Sequence, residues 1–228
     1  AAERAVSQAR LREVDHIDLP ALGESARLMV DGAIEGYEAF EDVVATFPAT
    51  PIADEVAGQD MLYSSGTTGR PKGVKTPLTA EKIDVVNPAF DLSRKLYGID
   101  ANTVYLSPAP LYHAAPLRFN MMIMRSGGTS VIMEHFDAEA FLALVPKHKI
   151  THTQVVPTMF VRMLKLPEAV RAQTDMSSLR CVIHAAAPCP IPVKEAMIGW
   201  WGDAVMEYYA GTEGMGMTLV NSADWLAH

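Results

Sequence analysis

From residue 60 onward, short apolar segments alternate with stretches of helical spacing, and that alternation limits the fold more than any other feature of the chain. Residues 61–63, 104–106, 129–133, 151–156, 180–184 and 204–208 read as strands, rich in β-branched and aromatic side chains. Helices are expected between them. One runs from Pro77 to Tyr97 with Thr79 as its N-cap, kinked or divided at Pro88. Others cover 117–124, ended by Gly127-Gly128, and 137–146, capped by Asp137. Pro157 opens another, and a further helix spans 190–201. Short strands separated by helices predict a layered α/β fold with a largely parallel sheet flanked by helices.

Ahead of this region the pattern is weaker. Residues 1–27 are polar and Ala-rich, with helical character. Leu28-Met29-Val30 reads as a strand turning at Asp31-Gly32, and 37–46 as a helix with Tyr37, Phe40, Val43 and Val44 on one face. Pro48 and Pro51 mark a connector. The expected organisation is a 1–55 helical and connector segment and a 56–228 binding core, both within one domain.

Composition excludes several function classes. Apolar residues make up 49% and charged residues 20% of the 228, so a sizeable core is expected and disorder is not. The formal net charge is -8 and no basic run occurs, which argues against a nucleic-acid partner. No apolar run reaches the ~18 residues of a membrane span, and no signal peptide opens the chain. Cys181 and Cys189 lack metal-ligand spacing and read as reduced thiols. The expected location is cytoplasmic, free or peripheral at a membrane.

The segment 63–73 carries the chemistry. Ser64, Ser65, Thr67 and Thr68 supply hydroxyls, Gly66, Gly69 and Gly73 let the backbone approach an anion, and Lys72 adds a point charge. Such a loop after a strand can cradle a polyphosphate. It is not a Walker loop, because Pro71 stands where that motif needs glycine.

The unbroken run Ser64-Ser65-Gly66-Thr67-Thr68-Gly69-Arg70-Pro71-Lys72-Gly73 resembles the phosphate-binding signature of the adenylate-forming superfamily. That superfamily includes acyl-CoA synthetases, peptide-synthetase adenylation domains and beetle luciferases. The resemblance extends over at least 56–221. A second signature, Tyr-Gly-x-Thr-Glu, is matched by Tyr209-Ala210-Gly211-Thr212-Glu213, with Tyr208 ahead of it. By resemblance Tyr209 stacks on adenine, Thr212 bonds the α-phosphate and Glu213 helps hold Mg²⁺, a cation that prefers oxygen ligands. Ala210 replaces the usual glycine, so a local turn of different shape is expected. Ala186-Ala187-Pro188 matches a small-residue segment whose backbone lines the adenine pocket.

A third match, Tyr112-His113-Ala114-Ala115, places His113 beside the carboxylate substrate. Amino-acid-activating relatives carry an Asp in this segment. None occurs here, which argues against a substrate ammonium that would need a buried partner. The apolar run 119–124, in a chain with 13 Met, suggests a tunnel for a fatty acid, although an ordinary buried helix has the same pattern.

The resemblance implies a ligase of fatty-acid metabolism. It would use ATP, Mg²⁺ and coenzyme A to convert a small-molecule carboxylic acid first to an acyl-adenylate and then to an acyl-CoA. Lys72, Thr212 and Glu213 are the catalytic candidates. Full-length relatives also carry a ribose-binding Asp and a small C-terminal domain, neither of which is found in this sequence. A fragment inactive alone is therefore expected. The alternatives are an amino-acid-adenylating domain and a non-catalytic nucleotide-binding homologue. Oligomeric state is not legible in the sequence.

Overall fold

The computed structural model describes residues 27–63, 73–211, 214 and 216–228. Its contacts divide the chain into two units, Ala1–Glu55 and Val56–His228. In the first unit, β1 (Leu28–Met29) pairs in parallel with β2 (Glu38–Ala39), followed by helix α1 (Phe40–Ala45). The helix expected over 37–46 is shorter because its first residues join this pairing. Asp31 takes a left-handed conformation (φ 61°), and its N–H donates to Glu41.

In the second unit, β3 (Leu62–Tyr63) and β4 (Gly73–Val74) form an antiparallel two-stranded pair. The main sheet has six strands: β5 (Val104–Ser107), β6 (Thr129–Ile132), β7 (His152–Val155), β8 (Cys181–His184), β9 (Val205–Ala210) and β10 (Met217–Asn221). Their order across the sheet is β6-β5-β7-β8-β9-β10. All pairings are parallel except β9 with β10. The fold is the layered, largely parallel α/β architecture expected.

Helices cover both faces: α2 (Pro88–Leu96), α3 (Ala114–Arg125), α4 (Ala138–His148), α5 (Pro157–Leu164), α6 (Glu168–Gln173), α7 (Ile191–Trp201) and α8 (Ser222–Ala227). Strand residues alternate between two cores, as a pleat requires. Leu106, Val182 and Val205 pack with Phe141, Phe160, Met163, Met197 and Trp201 from α4, α5 and α7. Tyr105, Cys181 and Ile183 pack on the other face with Phe119, Met122 and Ile123 from α3. Strands β7 and β8 are buried at every residue, as central strands covered on both faces should be.

In the second unit, two helix starts differ from expectation. The helix expected from Pro77 starts instead at Pro88. Proline fits the first helical position, where no N–H is needed. Asn87 is the cap, accepting from the N–H groups of Ala89 and Phe90. Thr79 is no helix cap; its hydroxyl accepts from Glu81 N–H in a local turn. Helix α3 begins at Ala114, three residues early, with Pro116 buried in its first turn. The sequence reading also missed α6, α8 and β10.

The end of α3 is set by backbone geometry. Gly127 has φ 78° and donates to Met124 O, while Gly128 N–H reaches Ile123 O at 3.0 Å. This is the Schellman termination, which needs a left-handed residue. Gly127→Ala should cost about 1–2 kcal/mol, the penalty of placing a Cβ in that conformation. Denaturant unfolding would show it as a lower midpoint with an unchanged slope; an unchanged midpoint would contradict it.

Candidate functional site

Parallel pairing places the carboxyl ends of β5, β7, β8 and β9 along one edge of the sheet. Val155 registers with His184, and His184 with Glu207. Chain order reverses between β5 and β7, since β6 lies on one side of β5 and β7 on the other. Crevices outside the carboxyl ends at such a reversal are where open α/β sheets take ligands. The loop leaving β5 carries His113, which sits exposed at the N-cap of α3, its ring 4.5 Å from that of Tyr112. Below it, Asn120 of α3 donates to Ser107 Oγ and Pro116 O, both at 2.8 Å, and ties the helix to the end of β5.

The segment after β8 is the second component. Ala185 is buried, whereas Ala186, Ala187 and Pro188 are exposed. Ala186 has φ 73°, a left-handed conformation that costs an L-residue with a Cβ about 1–2 kcal/mol. Strain of this kind persists where surrounding structure over-determines the backbone, and it clusters at ligand sites.

The third component is the end of β9. Tyr208 is half-buried and registers with Leu219, while Tyr209 registers with Thr218 and is 80% exposed. An open aromatic face of this kind suits stacking on a planar ring. Ala210 is the last residue of β9 and does not have positive φ. The residue is extended strand, which tolerates a Cβ. Gly211 is exposed.

Beneath these two loops lies a buried polar cluster that the sequence reading missed. Lys194 of α7, with a side chain 1% exposed, donates to His184 Nε2 and to Glu207 Oε2, the latter at 3.1 Å. The Trp225 ring lies 5.6 Å from its ammonium. Burial pushes the His184 pKa down to about 4, helped by the Lys194 charge and opposed by Glu207, so the ring is neutral at neutral pH. Burial also lowers the Lys194 pKa, against the pull of Glu207. One signal was legible in the sequence: Lys194, Met197, Ile198 and Trp201 share the i, i+3, i+4, i+7 stripe that α7 buries.

Ser64, Ser65, Gly66, Thr67, Thr68, Gly69 and Lys72 lie outside the described residues, as do Thr212 and Glu213. Their flanks are described. Tyr63 pairs with Gly73, so the two ends of the 64–72 segment meet. A Cβ on Gly73 would lie 2.6 Å from Met61 Cε, the end of a flexible side chain that can shift aside. Just ahead of β3, Asp60 accepts from Arg118 Nε of α3 at 2.8 Å. Burial raises the Tyr208 pKa, and the Arg118 charge works against that rise. Arg118 thus ties α3 to the residue two positions ahead of β3. Among the described residues no cluster of three His, Cys, Asp or Glu could hold a metal ion. Both cysteines are unpaired thiols.

The family model described as AMP-binding enzyme matches residues 7–227. The chain is 36% identical over 199 residues to 4-coumarate–CoA ligase 3 of Oryza sativa subsp. japonica, covering 83% of this chain and 33% of that protein. It is 31% identical over 188 residues to the mitochondrial medium-chain acyl-CoA ligase ACSF2 of Danio rerio, covering 81% and 29%. The inhibitor-bound N-terminal domain of FACL13 from Mycobacterium tuberculosis superposes with a TM-score of 0.67 at 28% identity, over 82% of this chain and 46% of that one. The chain thus spans about a third of the length of the curated relatives it matches.

The strain at Ala186 can be tested directly. Ala186→Gly should raise stability by roughly 0.5–1 kcal/mol, relief of the left-handed penalty outweighing glycine's greater unfolded-state entropy. Equilibrium unfolding measures it, and a loss of stability would show that the conformation carries no strain.

Proposed function

The chain belongs to the AMP-binding enzyme family, and on that premise we propose that it forms the ATP- and acid-binding part of an acid–CoA ligase. The reaction is ATP-dependent attack of a carboxylate oxygen on the α-phosphorus, release of pyrophosphate, and transfer of the acyl group from AMP to the thiol of coenzyme A. One observation supports this reading above the rest: the ends of β8 and β9 lie side by side, with the left-handed Ala186 just beyond one and the exposed Tyr209 at the other. On this reading the Ser64–Lys72 segment and Thr212 with Glu213 touch one triphosphate.

The roles follow from residue chemistry. The hydroxyls and amides of 64–69 and the Lys72 ammonium bind the β- and γ-phosphates and stabilise pyrophosphate as it leaves. Thr212 donates to the α-phosphate. Tyr209, exposed at the end of β9, stacks on the base opposite the backbone of Ala186, Ala187 and Pro188. Glu213 is the carboxylate for Mg²⁺, which when bound neutralises phosphate charge. His113, at the mouth of the β5 loop, borders the substrate carboxylate.

The substrate is an acid without an α-ammonium, since no carboxylate stands in the His113 segment. A fatty acid is the first reading, and the resemblance to a medium-chain acyl-CoA ligase favours it. Helix α3 does not contribute to that argument. Phe119, Met122 and Ile123 pack into the core, and Met121 and Met124 are 49% and 70% exposed. An aromatic propenoic acid is the second reading, favoured by the likeness to a 4-coumarate–CoA ligase.

The test is acid-dependent exchange of labelled pyrophosphate into ATP by the complete natural chain, across fatty acids of graded length and 4-coumarate. Exchange with at least one acid is expected. Lys72→Ala or Glu213→Ala should each reduce it by about 10²–10³-fold, the usual loss for a well-placed transition-state donor. ATP binding without exchange for any acid would instead assign a non-catalytic nucleotide-binding homologue.

A further inference from the structure

The buried cluster of Lys194, His184 and Glu207 lies directly behind the two loops that frame the base. His184 and Glu207 are register partners at the ends of neighbouring parallel strands. Side chains two residues apart on a strand share a face. Tyr209 therefore projects from the face of β9 that carries Glu207, one step further towards the carboxyl edge. On β8, the left-handed Ala186 follows His184 at the same spacing. Lys194 bridges the pair from α7, donating to both. It is a single buried ammonium holding the last residue of β8 and a residue of β9.

The arrangement is costly for a merely structural contact. A buried ion pair often gives no more stability than an apolar substitute of the same volume, whereas losing one partner leaves an unpaired charge. Glu207 is 27% exposed while Lys194 is 1% exposed, so the carboxylate lies on the outer side of the cluster. Among the described residues, Glu207 is the carboxylate paired with Lys194. His184 Nδ1 is buried without a partner. The ring is thus held through Nε2 by Lys194 and by edge contact with Phe160, whose centroid lies 5.3 Å away.

We propose that Lys194 is a positioning residue that locks the Ala185–Pro188 segment to the end of β9 and so sets the gap in which the adenine base is held. The proposal rests on the nucleotide reading above and adds to it the residue that fixes the width of that gap. It also accounts for the strain at Ala186: a backbone held left-handed needs a rigid anchor, and His184, two residues before it, is that anchor.

The experiment measures AMP and ATP affinity by calorimetry, together with melting temperature, in the complete natural chain. Lys194→Met alone should lower the melting temperature, because Glu207 loses its partner. The double change Lys194→Met with Glu207→Gln removes both charges and should melt above Lys194→Met alone, and below the unmodified protein because His184 Nε2 loses its donor. If Lys194 positions the walls, the double variant still binds AMP and ATP about tenfold more weakly, by the same factor for both, roughly the effect of one lost hydrogen bond. If that variant does not fold, Glu207→Gln alone, which keeps an acceptor for Lys194, should weaken both nucleotides by a smaller common factor. Unchanged affinities in a folded variant would overturn the proposal, as would weakening of ATP alone. Failure of the unmodified protein to bind either nucleotide would instead remove the nucleotide reading, and the proposal with it.

Discussion

Parallel pairing of β5, β7, β8 and β9 is the constraint on which the rest depends. Because these strands run the same way and register in rows such as Val155–His184–Glu207, every loop that leaves them emerges on one edge. A parallel sheet requires both faces to be covered, and α3 on one side with α4, α5 and α7 on the other meet that requirement. The outcome is a rigid platform whose carboxyl edge carries the His113 loop, the Ala185–Pro188 segment and the Tyr208–Gly211 strand end. Residues far apart in sequence are brought to one edge by pairing alone.

At that edge the local chemistry departs from ordinary packing. Ala186 is left-handed, Lys194 is an ammonium inside the protein, and Tyr209 keeps a large ring in solvent. Each is unfavourable in isolation, and all three lie within the ends of two adjacent strands and the helix that follows one of them. Concentrated strain and buried charge mark a surface shaped for a ligand more than for stability.

Much of this was legible in the sequence, for physical reasons. Strands β5 to β9 stood out because β-branched and aromatic residues cluster between helical stretches, and caps such as Asp137 and Pro157 are local signals. Where the deciding interaction was a competing local one, the reading failed. Pro88 inside a helix starting near Pro77 predicts a kink or division, yet the Asn87 side chain starts the helix there. Strand β10 and helix α8 have little periodicity and form through tertiary pairing with β9 and the end of α7. The site motifs were legible as strings, and the structure brings His113, Ala186–Pro188 and Tyr208–Gly211 to one edge. Lys194 escaped notice because lysine on a helix is ordinarily solvated; its burial depends on His184 and Glu207, which only the sheet brings together.

The central claim is that the 64–72 segment and the Thr212–Glu213 corner meet on one nucleotide. Paramagnetic broadening of backbone amide signals by Mn²⁺·ATP tests it most directly, because broadening falls steeply with distance from the metal. The account predicts that amides of both segments broaden together along a single binding curve, with Tyr209 and Gly211 among them. Broadening of one segment while the other stays sharp would contradict it.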